Sequence, residues 1–295
     1  MFMIDNVSSW KRAGLIAGES LEYARSLVIK GKTILDVSEK VEDFIVKKGA
    51  LPAFPVQFSC DGIAAHYCAY PGDDTMFQEQ VVCVDVGVHV DGCIGDTACT
   101  VDLSGKHGDL VKASRDALDS ALKMCTPGRT LGDVGRTIQD VITSRGFSPI
   151  KNLSGHGLGV FEIHTFPSVP NVDTGDATEL KDGMILAVEP FASTGSGIVR
   201  ESGIASVFSL NAVRPLRSRE SSLVLQHISK EWNTLPFCTR WISKKFGVGT
   251  TGRALRELMT AGVITAHPPL FDSGIVSQAE HSVIVADKPI VLTRV

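Results

Sequence analysis

The sequence predicts an α+β fold of two pseudo-symmetric halves, with helices packed on one sheet and a helical insertion in the second half. Three observations predict it: a repeat at constant offset, strand-like segments in similar order after each copy, and a helical block at 211–265 that interrupts this order. Gly31-Lys32-Thr33-Ile34-Leu35-Asp36-Val37 opens a stretch ending at Gly49, and Gly128-Arg129-Thr130-Leu131-Gly132-Asp133-Val134 opens one ending at Gly146, 97 residues further on. Thr33/Thr130, Asp36/Asp133, Val37/Val134, Asp43/Asp140 and Ile45/Ile142 match at that offset. Two amphipathic helices can share residues by chance, but duplication also explains the downstream order.

The first half begins with a helical pattern over 9–29. In the first repeat unit Ile34, Val37, Val41, Phe44 and Ile45 recur at spacings of three and four, and Gly49 beyond Lys47-Lys48 suits a C-cap. Strand-like segments follow at 80–90 and 97–103. The second half repeats this with a helical stretch at 109–124, the second unit, and strand-like segments at 184–191 and 199–210. Inside 211–265, helices are expected at 220–231, 237–245 and 252–261, broken by Asn233-Thr234-Leu235-Pro236 and by the glycine-rich 247–252. The β-rich segments 281–286 and 290–293 return the chain to the sheet. The expected domains are therefore 1–210 with 266–295, and an insertion subdomain at 211–265.

Hydrophobic residues at 43% support a sizeable core, and a net charge of −4 does not mark a polyanion-binding protein as a whole. Locally, nine Lys/Arg against three Glu make 214–257 +6. The ordinary reading is a solvated helical surface; the sharper one is salt-sensitive contact with ribosomal RNA phosphates. Seven cysteines without a C-x-x-C pair suit free thiols in a reducing compartment. With no stretch of signal-peptide character and no apolar run of 18 residues, the cytoplasm is expected and a membrane partner is not.

Candidate chemistry begins at Val81-Val82-Cys83-Val84-Asp85-Val86-Gly87, a strand pattern with a carboxylate among apolar residues. A buried, unpaired carboxylate is costly, so Asp85 should face a cation or strong donors. Asp96 follows eleven residues later, and a turn at Asp91-Gly92 would bring the two onto adjacent strands. On this segment alone a turn or salt-bridge role remains open. His156 lies between glycines in 152–159, read as a glycine-rich loop. Glu189 sits in Val188-Glu189-Pro190 as the second-half counterpart of Asp85, and Glu280 precedes another apolar strand. Carboxylates and one imidazole converging on a sheet centre suit two divalent cations.

These residues carry a family resemblance. Ala64-Ala65-His66-Tyr67, Asp85-Val86-Gly87, Asp96-Thr97-Ala98, Ser154-Gly155-His156-Gly157, Glu162-Ile163-His164, Val188-Glu189-Pro190-Phe191 and Gln278-Ala279-Glu280-His281 together resemble the type 2 methionine aminopeptidases of peptidase family M24, in their short archaeal-like form without an N-terminal extension. The resemblance covers nearly the whole chain and implies the pita-bread fold. It implies that Asp85 chelates one metal, that His156 and Glu189 hold the other, and that Asp96 and Glu280 bridge them. The cations would be cobalt, manganese, iron or zinc. Glu280 follows Glu189 at an offset of 91, and the segment between them contains the helical block, as in the type 2 class.

The implied reaction is hydrolysis after the N-terminal methionine of nascent proteins, by a water that two cations acidify, with Glu189 also moving a proton. His66 and His164 match histidines that contact the scissile peptide and the tetrahedral intermediate. Phe54 and Ile163 match the methionine side-chain pocket. A small uncharged second residue (Gly, Ala, Ser, Thr, Cys, Pro or Val) and a monomer are expected. One position departs from the common type 2 pattern: His267 stands before Pro268-Pro269-Leu270 where many members have tyrosine. A proline-specific aminopeptidase of the same fold would keep the five ligands, but the insertion and the surroundings of Glu280 speak against it. A non-catalytic ribosome-binding homologue would be expected to lose ligands. A mononuclear hydrolase would not explain the paired halves.

Overall fold

The computed structural model describes residues 6–295. The first half opens with α1 (Val7–Leu27) and α2 (Ile34–Lys47), the second with α3 (Gly108–Met124) and α4 (Leu131–Ser144). The repeat is visible in the details of α2 and α4. Thr33 accepts the Asp36 N–H and Thr130 accepts the Asp133 N–H, so each helix starts on the same cap. Thr33 bridges Met76 and Thr130 bridges Glu179, while Gly49 and Gly146 close the two units at φ 76° and 81°. Each helix pair has its own apolar core against the sheet: Ile34, Val37, Val41 and Ile45 meet Val82, Val84 and Val86, whereas Leu131, Val134, Ile138 and Ile142 meet Leu186, Val188 and Val283.

The main strands are β1 (Leu51–Pro52), β2 (Gln57–Cys60), β3 (Val81–Val90), β4 (Cys93–Asp102), β5 (Ser154–Gly159), β6 (Glu162–Pro170), β7 (Ile185–Val188), β8 (Val207–Leu210), β9 (Ile264–His267), β10 (Glu280–Ile284) and β11 (Ile290–Val291). Nine form one sheet in the order β1-β3-β4-β10-β7-β5-β6, with β2 on β3 and β11 on β10. β8 leaves this sheet and pairs with β9 on one side and Phe237–Cys238 on the other. These short strands adjoin α5 (Arg219–Glu231), α6 (Thr239–Phe246) and α7 (Val248–Thr260), and Phe208 and Ile264 join Val224, Ile228, Ile242 and Leu258 in a separate core.

Four expectations change. The segment 199–210 is not one strand: Arg200–Glu201 and β8 are separate and serve other sheets. In the main sheet β7 pairs with β10, whose buried run supplies apolar partners such as Val283 for Leu186. The glycine-rich 152–159 contains β5 rather than being only a loop. A Cβ on Gly155 would lie 2.2 Å from the Ala187 carbonyl oxygen, so β5 can sit between β6 and β7 only with small residues there. α7 starts at Val248, with Gly249 and Gly252 inside it, and Gly247 at φ 74° makes the break. Finally, β4 begins at Cys93, because Asp91 and Gly92 at φ 52° and 84° close a tight hairpin with β3.

Candidate metal centre

The strand register carries the five acidic and imidazole candidates to one face of the sheet. Asp85 on β3 and Glu280 on β10 both pair with Ala98 of β4, so the three side chains lie in one row. Asp96 is two residues before Ala98 and shares its face. On β7, Ala187 pairs with Ser282 of β10 and His156 of β5, which puts His156 on that face too. Glu189 follows two residues after Ala187, just past the end of β7. The opposite face is covered by the helices.

Burial makes this cluster electrostatically unusual. Asp96, His156 and Glu280 are 3%, 8% and 2% exposed, and one donor atom from each lies within 4.8 Å of the others. His156 Nε2 stands 3.8 Å from Asp96 Oδ2 and 3.7 Å from Glu189 Oε1, beyond ordinary hydrogen-bond contact. Asp85 Oδ1 and Asp96 Oδ1 are buried with no hydrogen-bond partner. Burial pushes Asp85 up to about 7, against a hydrogen bond from Gln278. Burial first, and then repulsion from neighbouring carboxylates, raises Asp96, Glu189 and Glu280 well above the usual carboxylate range. Burial, followed by His164, lowers His156 to about 3. His156 Nδ1 is 3.2 Å from the Gly157 carbonyl oxygen, which can only accept, so the neutral ring carries its proton there and turns the Nε2 lone pair to the carboxylates. Four carboxyl groups, two of them with an orphaned oxygen, and one neutral imidazole are a donor set that fits divalent cations.

All five candidates, with His66, His164, Phe54 and Ile163, line one cavity of about 840 Å³. The His164 ring lies edge-on to that of His156, centroids 4.4 Å apart. His66 takes a left-handed backbone, φ 69°, held by its N–H donating to Gln57 Oε1 at 2.7 Å. Its Nδ1 lies 3.3 Å from the Pro268 carbonyl oxygen, which leaves Nε2 as the acceptor of the neutral ring. Burial lowers the pKa of His66 to about 4, with His267 adding to the effect. Phe54 packs with Leu158 and Ile163. A Cβ on Gly87 would fall 2.1 Å from Phe54 Cε1, so the glycine of Asp85-Val86-Gly87 makes room for this wall.

His267 also lines the cavity, its ring 5.8 Å from that of His66 and its Nε2 2.9 Å from Ser209 Oγ. His281, one residue past Glu280, lies outside the cluster, with Nδ1 2.8 Å from Thr293 Oγ1. Supporting residues emerge that the motifs alone did not single out. Ser282 Oγ accepts the Asp96 N–H at 2.8 Å and donates to the Asp96 carbonyl at 2.9 Å, and Thr97 Oγ1 donates to the Glu280 carbonyl at 2.8 Å. Ser282 could have been found by spacing, since it falls two residues after Glu280 on the same strand. Gln57 had no signal of that kind, because its role depends on the turn that brings His66 back to it.

The sequence matches the description "Metallopeptidase family M24" over residues 8–214. It is 39% identical over 285 residues to a methionine aminopeptidase of Pyrococcus abyssi, covering 95% of this chain and 97% of that protein. It is 40% identical over 284 residues to a methionine aminopeptidase of Methanocaldococcus jannaschii, covering 95% and 96%. A solved methionine aminopeptidase from Thermotoga maritima superposes with a TM-score of 0.72 at 24% identity, covering 100% of each chain, which supports the same pita-bread fold. With the family match spanning most of its length and these relatives spanning nearly all of it, the chain belongs to metallopeptidase family M24.

Proposed function

We propose that the protein removes the N-terminal methionine from peptides and nascent proteins, using two divalent cations held by Asp85, Asp96, His156, Glu189 and Glu280. The observation that carries this reading is the convergence of those donors on one sheet face, with Asp85 Oδ1 and Asp96 Oδ1 buried and unpartnered. Cations bound there supply Lewis acidity, which acidifies water and polarises a carbonyl. Asp85, Asp96, His156, Glu189 and Glu280 would hold the ions, with Asp96, His156 and Glu280 at the centre of the cluster. Ser282 and Thr97 hold the backbone of Asp96 and Glu280.

Phe54 and Ile163 bind the methionine side chain in an apolar wall, which excludes charged first residues. His66 Nε2 accepts the N–H of the scissile peptide, because its Nδ1 is committed to Pro268. His164 stabilises the developing oxyanion beside His156. Glu189 takes the proton of the attacking water and delivers it to the leaving amine. A small uncharged second residue is preferred. The test is metal-loaded protein with Met-Gly-, Met-Leu- and Ala-Pro-headed peptides. Methionine release from the Met-Gly peptide alone is expected; preferential cleavage of Ala-Pro would overturn the reading.

We place the reaction in the cytoplasm, performed by a monomer whose body is 1–210 with 266–295 and whose subdomain is 211–265. Seven free cysteines support that compartment, and no helix among the described residues is long and apolar enough to cross a membrane. The basic segment 214–257 gives the enzyme a transient contact with ribosomal RNA. Part of its charge is already engaged: Arg240 pairs with Glu42, Lys244 with Glu39 and Arg253 with Glu220. Unchanged ribosome co-sedimentation after charge reversal at Arg217, Arg219, Lys244 and Lys245 would remove this contact from the proposal.

A further inference from the structure

Phe166 is 77% exposed, the most exposed aromatic side chain among the described residues, yet it lines the wall of the metal-centre cavity. Its position follows from an irregularity in the sheet. Gly157 pairs with Thr165 and His156 pairs with Ser168, so Phe166 and Pro167 have no partners on β5. A bulge of this kind re-aims a side chain away from the ladder. It closes tightly against β5: a Cβ on Gly157 would lie 2.5 Å from the Phe166 carbonyl oxygen. Beyond it, Ser168 Oγ donates to Ser154 Oγ at 2.7 Å, fixing the end of β6 beside another segment of the cavity lining.

The order of residues along β6 gives the cavity a direction. Phe161, just before it, and Ile163, at its start, belong to the apolar cluster of Phe54. His164 comes next, beside His156. Phe166 is two residues further, at most about 7 Å along the strand. A peptide held by its first side chain at Phe54 and Ile163, with its scissile bond at His164, trails toward Phe166. An extended chain advances about 3.3 Å per residue, so that distance brings the third substrate residue to the exposed ring.

We propose that Phe166 forms a subsite for the third residue of the substrate and favours an apolar side chain there. This rests on the aminopeptidase reading and on Phe54 and Ile163 holding the methionine. The exposed ring gains by burial against an apolar group, whereas a carboxylate there would lose hydration without a partner.

The test compares Met-Gly-Leu-Gly with Met-Gly-Asp-Gly on metal-loaded wild type, Phe166→Ala and Phe166→Leu. Wild type is expected to favour leucine roughly five- to tenfold in kcat/KM, expressed mainly in KM, the scale of partly burying one apolar side chain. Phe166→Ala should bring the ratio within about twofold of unity, and Phe166→Leu should keep at least half of the preference. A wild-type ratio near one, or a preference that survives Phe166→Ala, overturns the subsite and leaves the aminopeptidase reading standing. Failure to release methionine from either peptide overturns both, and so is distinguishable from equal release.

Discussion

A carboxyl group buried among other carboxyl groups binds its proton more tightly in the folded chain than in the unfolded one. Asp85, raised to about 7, and Asp96, Glu189 and Glu280, also raised, share this condition in the metal-free protein. The folded state therefore holds more of these protons above the unfolded pKa of about 4, and stability falls as pH rises. The associated stability is fully present below about pH 4 and lost as pH passes the folded pKa, near 7 for Asp85. Buried histidines with lowered pKa, His66 and His156 among them, gain stability over the same window, so the carboxyl contribution is read by difference. Between pH 6 and pH 8 metal-free wild type should lose more melting temperature, or gain less, than metal-free Asp85→Asn, and saturating divalent metal should shrink that difference. Equal pH dependence of the two metal-free proteins would contradict the burial argument. Asp96→Asn removes one charge from the cluster while preserving shape. It should cut kcat/KM for a Met-Gly peptide by more than about a hundredfold while the metal-free variant melts no lower than wild type, as seen by peptide assay and circular dichroism.

At the scale of elements, β3 and α4 show what single positions contribute. Gly87→Ala drives a methyl group into Phe54, so it should raise KM for Met-Gly peptides and destabilise the protein by roughly 1–3 kcal/mol in urea unfolding. Equal KM values would remove Phe54 from the methionine wall. The elements most legible in the sequence carry local chemistry: Thr33 and Thr130 as caps, periodic apolar positions in α2 and α4, and the Asp91-Gly92 turn between β3 and β4. These depend on neighbours within a few residues. β5 was hidden because its glycines have low strand propensity, and the close approach of Gly155 to Ala187 and of Gly157 to Phe166 explains their use. The β7–β10 pairing was hidden because a partner for β7 is chosen by contacts across nearly a hundred residues, which no local pattern records. Within the candidate site, the motifs named the five acidic and imidazole candidates with His66, Ile163 and His164, but Gln57 and Ser282 act through backbone groups of His66 and Asp96 and leave no separate motif.

Across the whole molecule, the insertion must be tied firmly to the body, because its core includes Phe208 of β8 and Ile264 of β9, the strands that bring Ser209 and His267 to the cavity wall. Arg240 on α6 makes that tie. Its two terminal nitrogens donate to both oxygens of Glu42 on α2 at 2.7 and 2.6 Å, and Trp241 Nε1 donates to Glu42 at 2.9 Å. Arg240 Nε also reaches the Ala69 carbonyl at 3.4 Å, while Ser206 Oγ donates to the Cys68 carbonyl at 2.7 Å, so the same junction braces the chain just after His66. Arg240 and Glu42 are only 3% and 7% exposed. Breaking one side strands a buried charge, so Arg240→Met should cost roughly 3–5 kcal/mol and expose 211–265 to limited proteolysis. Adding Glu42→Gln removes that stranded charge and should recover part of the stability. It would not restore the contact with Ala69, so KM should stay above the wild-type value even where stability returns. If the double variant were no more stable than Arg240→Met, the cost would lie in lost packing of α6 rather than in the buried charge.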